Sequence, residues 1–191
     1  ETGKKVLWVG TAAIADNLFE IEYKTFPAIA VVGSVSSVTR GQVKFAEESG
    51  VALVNVPMYD IINGKSNPKE YIDKAVEIVK NGKDVMVISS ASYAAEELDK
   101  TVAAGEAKGM KKEETSVVVQ GVLGDIAKGI LETVQLSGVF LTGGDTAMGM
   151  FDKVGAFGSS ILGEVAVGIP LMKLRGGNFD GMKVITKAGA F

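Results

Sequence analysis

The 191-residue chain contains no cysteine and no histidine. Disulfides, thiolate nucleophiles, Cys/His zinc sites and an imidazole base are therefore excluded. Charge of one sign is also lacking: 20 basic residues face 23 acidic ones, a net −3. Such a balance gives no electrostatic case for nucleic acid or for an anionic membrane. No apolar run approaches the roughly 20 residues needed to span a bilayer. The start, Glu1-Thr2-Gly3-Lys4-Lys5, has neither a Met nor a signal-peptide pattern. A cytoplasmic location is expected, for a piece of a longer chain. No internal repeat and no linker divides the sequence.

What is present is an ordinary globular composition, with 47% apolar and 23% charged residues. That is enough for one domain, residues 1–191, with a sizeable core. Glycine is the exception, at 24 residues, against an average of roughly 7%. The glycines stand singly or in pairs after apolar runs, where backbone must approach something closely.

Strand-like runs alternate with helical patterns. Val6–Val9 ends at Gly10 and is followed by a helical segment, 12–20. Ala28–Val32 ends at Gly33, and Ser34-Val35-Ser36-Ser37 opens a helix to about Ser49. Val51–Val56 reads as a buried strand. Asn67-Pro68 reads as an N-cap with proline in the first helical position, for a helix that stops near Asn81-Gly82. Val85–Ile88 is another strand, ending at Ser89-Ser90. In Thr115–Val134, Val117-Val118-Val119 favours a strand by propensity. Val119, Val122, Leu123, Ile126, Ile130, Leu131 and Val134 nevertheless fall at helical spacing, and the length predicts a helix. Its three glycines would admit close neighbours. From Ser160 onward, short strands and loops are expected, with a turn at Gly168-Ile169-Pro170. The alternation predicts an α/β layered domain, with a largely parallel or mixed sheet flanked by helices.

In such a sheet, ligands lie at the carboxyl ends of the strands. Four strands end in small or glycine-rich turns: Gly10-Thr11-Ala12, Gly33-Ser34-Val35-Ser36, Ser89-Ser90-Ala91-Ser92 and Thr142-Gly143-Gly144-Asp145-Thr146. Glycine lets backbone N–H groups face a phosphate, and a helix N-terminus adds donors and a favourable dipole. Asp145 or Thr146 could equally serve only as the cap of the next helix. No P-loop and no GxGxxG fingerprint is present. Glu164 could orient a ribose or pair with a basic residue. Lys187 could neutralise phosphate or be solvated, and Arg40 is expected on the surface.

Taken in order, Val32–Gln42, Leu141–Ala147, Gly163–Leu171 and Thr186–Phe191 resemble the C-terminal nucleotide-binding domain of the four-carbon acid sugar kinases. The resemblance covers essentially the whole chain. It departs at Val167, where the family has proline, and at Ala190, where it has glycine. The resemblance implies ATP-dependent phosphorylation of threonate, erythronate or 3-oxo-tetronate at the terminal hydroxyl. It places ATP on this domain, and the sugar acid on an N-terminal domain absent from this sequence, which also supplies the base. By match, the nucleotide contacts are Ser34 or Ser36, Gly143, Gly144, Asp145, Thr146 and Gly189. As a carboxylate beside the phosphates, Asp145 is also expected to hold Mg²⁺, directly or through water. A homo-oligomer is compatible with this reading. Two other classes fit the same loops: a non-catalytic nucleotide-sensing module, and an enzyme of another phosphorylated ligand such as a dinucleotide.

Overall fold

The computed structural model describes residues 26–189. The strand, turn and helix expected within 6–20, Gly10-Thr11-Ala12 included, lie outside the described residues, as do Ala190 and Phe191.

The first strand, β1 (Ile29–Val32), leads into α1 (Ser37–Glu48). Then follow β2 (Ala52–Val56), a short helix α2 (Met58–Ile62) and α3 (Pro68–Lys80). Asn67 caps α3, its side chain accepting from the Lys69 N–H at 3.0 Å, so the Asn-Pro signal holds. Next, β3 (Val85–Ser89) passes through a 3₁₀ turn to α4 (Glu96–Glu106) and the long α5 (Lys112–Thr133). Finally β4 (Val139–Thr142) leads into α6 (Gly144–Val154), followed by β5 (Gly158–Ala166), β6 (Ile169–Arg175) and β7 (Lys183–Lys187).

The seven strands form one mixed sheet in the order β2-β3-β1-β4-β7-β6-β5. The first five in that order pair in parallel, while β6 and β5 add an antiparallel edge. The tail is thus a hairpin and a returning strand. Its turn falls at Val167-Gly168, and Ile169 and Pro170 already belong to β6. Gly168 supplies the positive φ, 75°. Pro170 lies outside the β6–β7 register, which covers Leu171–Lys173, so its missing N–H costs no bond to β7.

Alternation along the strands sends Val31, Leu141 and Val184 to one face, where they pack with Leu123, Ile126 and Ile130 of α5. Val32, Met86 and Ile88 face the other way, onto Val43 of α1. The ambiguous 115–134 stretch is helical because this apolar stripe outweighs the β-propensity of its valines. Two of its glycines do admit neighbours. A Cβ on Gly129 would collide with Ile72 of α3, and one on Gly124 would lie 2.6 Å from the Gly149 carbonyl oxygen of α6. Gly149 returns the favour, since its own Cβ would lie 2.9 Å from the Gln120 carbonyl oxygen. This mutual approach seats α6 tightly on α5 and fixes where its N-terminus points.

Candidate functional site

Neighbouring strands β1 and β4 send their helices to opposite faces of the sheet. α1 packs on the Val32 face and α6 on the Leu141 face. Their loops therefore part at the carboxyl edge, which is where open α/β sheets hold ligands. A cavity of about 320 Å³ opens at this point. Its floor is Gly33, Ser34 and Gly143 to Thr146. Its far wall comes from α4 and α5: Leu98, Thr101, Val102, Lys112, Thr115, Ser116 and Val119.

The loop after β4 is held from below. The Gly143 N–H donates to the Lys187 carbonyl of β7, and the N–H groups of Gly33 and Ser34 converge on the Thr142 carbonyl. Gly143 takes φ 103°, a conformation that a side chain resists, and its Cβ would lie 3.3 Å from the Ser34 nitrogen. Gly143 is also the N-cap of α6, and it offers no side chain to cap with. Asp145 and Thr146 are the second and third residues of the helix, so neither is the cap. Asp145 is exposed, and Thr146 is buried against Gly33, where a Cβ would collide with its Oγ1.

Among the described residues, the N–H groups of Gly144, Asp145 and Thr146 meet no protein acceptor. Gly144 differs from Gly143: its φ is not positive, and an added Cβ would meet no protein atom within 4 Å. Nothing in the protein itself requires glycine there. A donor-rich helix end with a bare position beside it is the arrangement that an anion fills.

The loop after β1 is built otherwise. Ser36 caps α1, accepting from the Thr39 N–H at 3.1 Å, and its hydroxyl donates to the Gly189 carbonyl. Gly189 itself stands against Ser34, where a Cβ would collide with Oγ. The chain after β7 is thereby tied over the Gly33 loop. Ser34, Gly143, Gly144, Asp145 and Thr146 line the cavity, whereas Ser36 and Gly189 brace it.

The Ser89–Ser92 loop brings Ser89 and Ala91 to the cavity lining. Ser90 donates to Asn55 at 2.8 Å and Ser92 to the Val32 carbonyl at 3.1 Å, so both hydroxyls are engaged internally. Arg40 is half-buried, with its guanidinium on the Val35 and Ala91 carbonyls, so it braces two loops of the edge. Glu164 is exposed on the outermost strand and joins no ion pair among the described residues. Lys187 is not solvated: it is 6% exposed, its Nζ donates to the Ala188 carbonyl, and burial holds its pKa below the ordinary lysine value. It shares a register position with Thr142, on the α1 face of the sheet, away from the α5 wall of the cavity. Sequence reasoning missed that wall. Lys112, the one cation among the described lining residues, sits in a charged run, Lys111-Lys112-Glu113-Glu114, that reads as solvent-facing.

Residues 29–191 match the family model described as a nucleotide-binding C-terminal domain. The chain belongs to that family. The match bears out the resemblance to four-carbon acid sugar kinases, because relatives of the domain carry those activities in their names. D-threonate kinase of Salmonella typhimurium is 29% identical over 192 residues, covering 97% of this chain and 45% of the relative. D-erythronate kinase of Heliobacterium modesticaldum is 26% identical over 166 residues, covering 84% of this chain and 38% of the relative. The chain thus spans less than half the length of these curated relatives. Among solved structures, a domain of unknown function from Bordetella bronchiseptica, a citrate-bound, domain-swapped dimer, superposes with a TM-score of 0.66. It is 24% identical and covers 87% of this chain and 38% of its own, and the likeness establishes the fold of the domain. No helix among the described residues is long and apolar enough to cross a membrane.

Proposed function

We propose that this domain binds ATP across the β1/β4 crevice and presents its terminal phosphate to a four-carbon sugar acid. The reading is carried by the three N–H groups at the α6 N-terminus that have no acceptor among the described residues, on residues that line the cavity beside a glycine that the fold does not need. Phosphoryl transfer asks for positioning and charge neutralisation more than for covalent chemistry, which suits a chain without histidine or cysteine.

The geometry supports the following roles. Gly144, Asp145 and Thr146 donate backbone N–H groups to phosphate oxygens, with the helix dipole in their favour. Ser34 adds a hydroxyl at the opposite lip, and Lys112 adds positive charge at the rim. Leu98, Val102 and Val119 give an apolar wall suited to the face of a base. Gly189 holds the Ser34 loop rather than the ligand. Among the described residues there is no cluster of three acidic or metal-ligating side chains. One exposed carboxylate, Asp145, fits an ion held by a single carboxylate and the phosphates, which is how Mg²⁺ is usually bound. Bound there, Mg²⁺ would neutralise phosphate charge. The acceptor and its base belong to the part of the longer relatives that this sequence does not include, and residues 1–191 act as the nucleotide-binding half of a cytoplasmic enzyme.

The test is ADP release. The chain alone, given Mg-ATP, should bind nucleotide and form no ADP with threonate, erythronate or 3-oxo-tetronate. Joined to a substrate domain of the D-threonate kinase type, it should form ADP only when the acid is added. Binding without acid-dependent turnover in the joined protein would favour a nucleotide-sensing module. Turnover by the chain alone, at about 1–100 per second, would show that it has its own acceptor site.

A further inference from the structure

Thr39 is a deeply buried hydroxyl beside the site, at 1% exposure in the first turn of α1. Its Oγ1 lies 2.9 Å from Ser34 Oγ, 3.0 Å from Ser36 Oγ and 3.4 Å from the Gly189 carbonyl. Three hydroxyls thus share one cluster, and each has a single proton and two acceptor sites.

The distances allot the protons. Ser36 makes the shortest contact of the cluster, to the Gly189 carbonyl, and so spends its proton on the chain after β7. It also accepts the Thr39 N–H. Thr39 has its nearest acceptor in Ser34, at 2.9 Å, ahead of Ser36 Oγ at 3.0 Å, which already accepts the Thr39 N–H, and of the Gly189 carbonyl at 3.4 Å. Ser34 then accepts from Thr39 and, at 3.4 Å, from the Ser36 N–H. Both of its acceptor sites are filled. Its own proton has only Ser36 Oγ, at 3.5 Å, a contact at the limit for a hydroxyl pair. Of the three residues, Ser34 alone lines the cavity.

We propose that Thr39 is a positioning residue for the nucleotide site: its buried hydroxyl occupies the Ser34 lone pair and turns the Ser34 proton outward, toward a phosphate oxygen. Ser34, and not Ser36, is then the hydroxyl that meets the ligand. The proposal rests on the nucleotide-binding reading above, since it names how one of that site's donors is set.

The test is a double-mutant cycle read by calorimetry with ATP and Mg²⁺, with thermal unfolding in parallel. Thr39→Val keeps the shape and removes the hydroxyl, and Thr39→Ser keeps the hydroxyl. Thr39→Val should weaken ATP binding about threefold to tenfold, the worth of one hydrogen bond, and Thr39→Ser should stay near the parent. In a Ser34→Ala background, Thr39→Val should cost no further affinity, whatever it does to the unfolding temperature, because the two residues act as one unit. Equal losses in both backgrounds, or equal losses for Val and Ser, would overturn the proposal while leaving the nucleotide site standing. If Thr39→Val does not fold, Thr39→Ala enters the same cycle with the same expectations. No ATP binding by the folded parent chain would overturn the nucleotide reading itself, and this proposal with it.

Discussion

The turns after β1 and β4 are neighbours on one sheet edge, and each leads into a helix, yet they treat that helix in opposite ways. The β1 turn satisfies α1 from within: Ser36 caps it, Thr39 and Ser34 join the cap, and Gly189 closes it. The β4 turn gives α6 no side-chain cap, with a glycine at the N-cap and three N–H groups without partners among the described residues. An unsatisfied helix end is tolerable only where water or a ligand supplies the acceptors. The difference separates a loop whose polar groups, Ser34 apart, serve the fold from one whose backbone N–H groups are left for something else.

The largest effect should come from destroying the geometry of the bare turn. Gly143→Ala puts a Cβ on a residue with φ 103°, within 3.1 Å of Thr146 Oγ1. It should cost about 1–3 kcal/mol of stability in urea unfolding and abolish ATP binding. A loss near zero would mean that the turn needs no positive φ.

Ser36→Ala probes the self-sufficient turn. Loss of the cap should destabilise the domain by about 0.5–2 kcal/mol, with a smaller effect on ATP affinity than Ser34→Ala. If Ser36→Ala instead harmed binding more than folding, the β1 turn would not be a brace.

The smallest effect concerns Asp145, exposed and not a cap. Asp145→Asn should leave stability within about 0.5 kcal/mol, and should weaken ATP binding more with Mg²⁺ than without it. Equal losses in the two conditions would remove the metal from this position.

Much of the fold can be read locally. Asn67-Pro68 carries its own capping geometry, and the 3.6-residue stripe from Val119 to Leu131 needs only a sheet to face. The site is legible as a place more than as a set of roles. Which of Gly143 and Gly144 takes the strained conformation depends on the tie to Lys187 of β7, far along the chain. Likewise, Ser90 and Ser92 look like free donors until Asn55 and the Val32 carbonyl arrive from other strands. The turn assigned to Gly168-Ile169-Pro170 sits one residue earlier because Pro170 pairs with β5 alone, outside the β6–β7 register, where β6 tolerates the proline. The α4–α5 wall of the cavity has no local signature, since Thr101 and Thr115 come to line the same cavity as the loops only through tertiary packing.

The central claim is that the uncapped α6 N-terminus is kept for the phosphates of a nucleotide. Gly144→Val tests it most directly, because the added side chain would meet no described protein atom within 4 Å at its Cβ and would stand in the space the proposal gives to the ligand. Calorimetric titration with ATP, beside circular dichroism of the same sample, should show an unchanged fold and at least about a tenfold loss of affinity, which corresponds to roughly 1.4 kcal/mol. A folded variant that binds ATP as tightly as the parent would contradict the account.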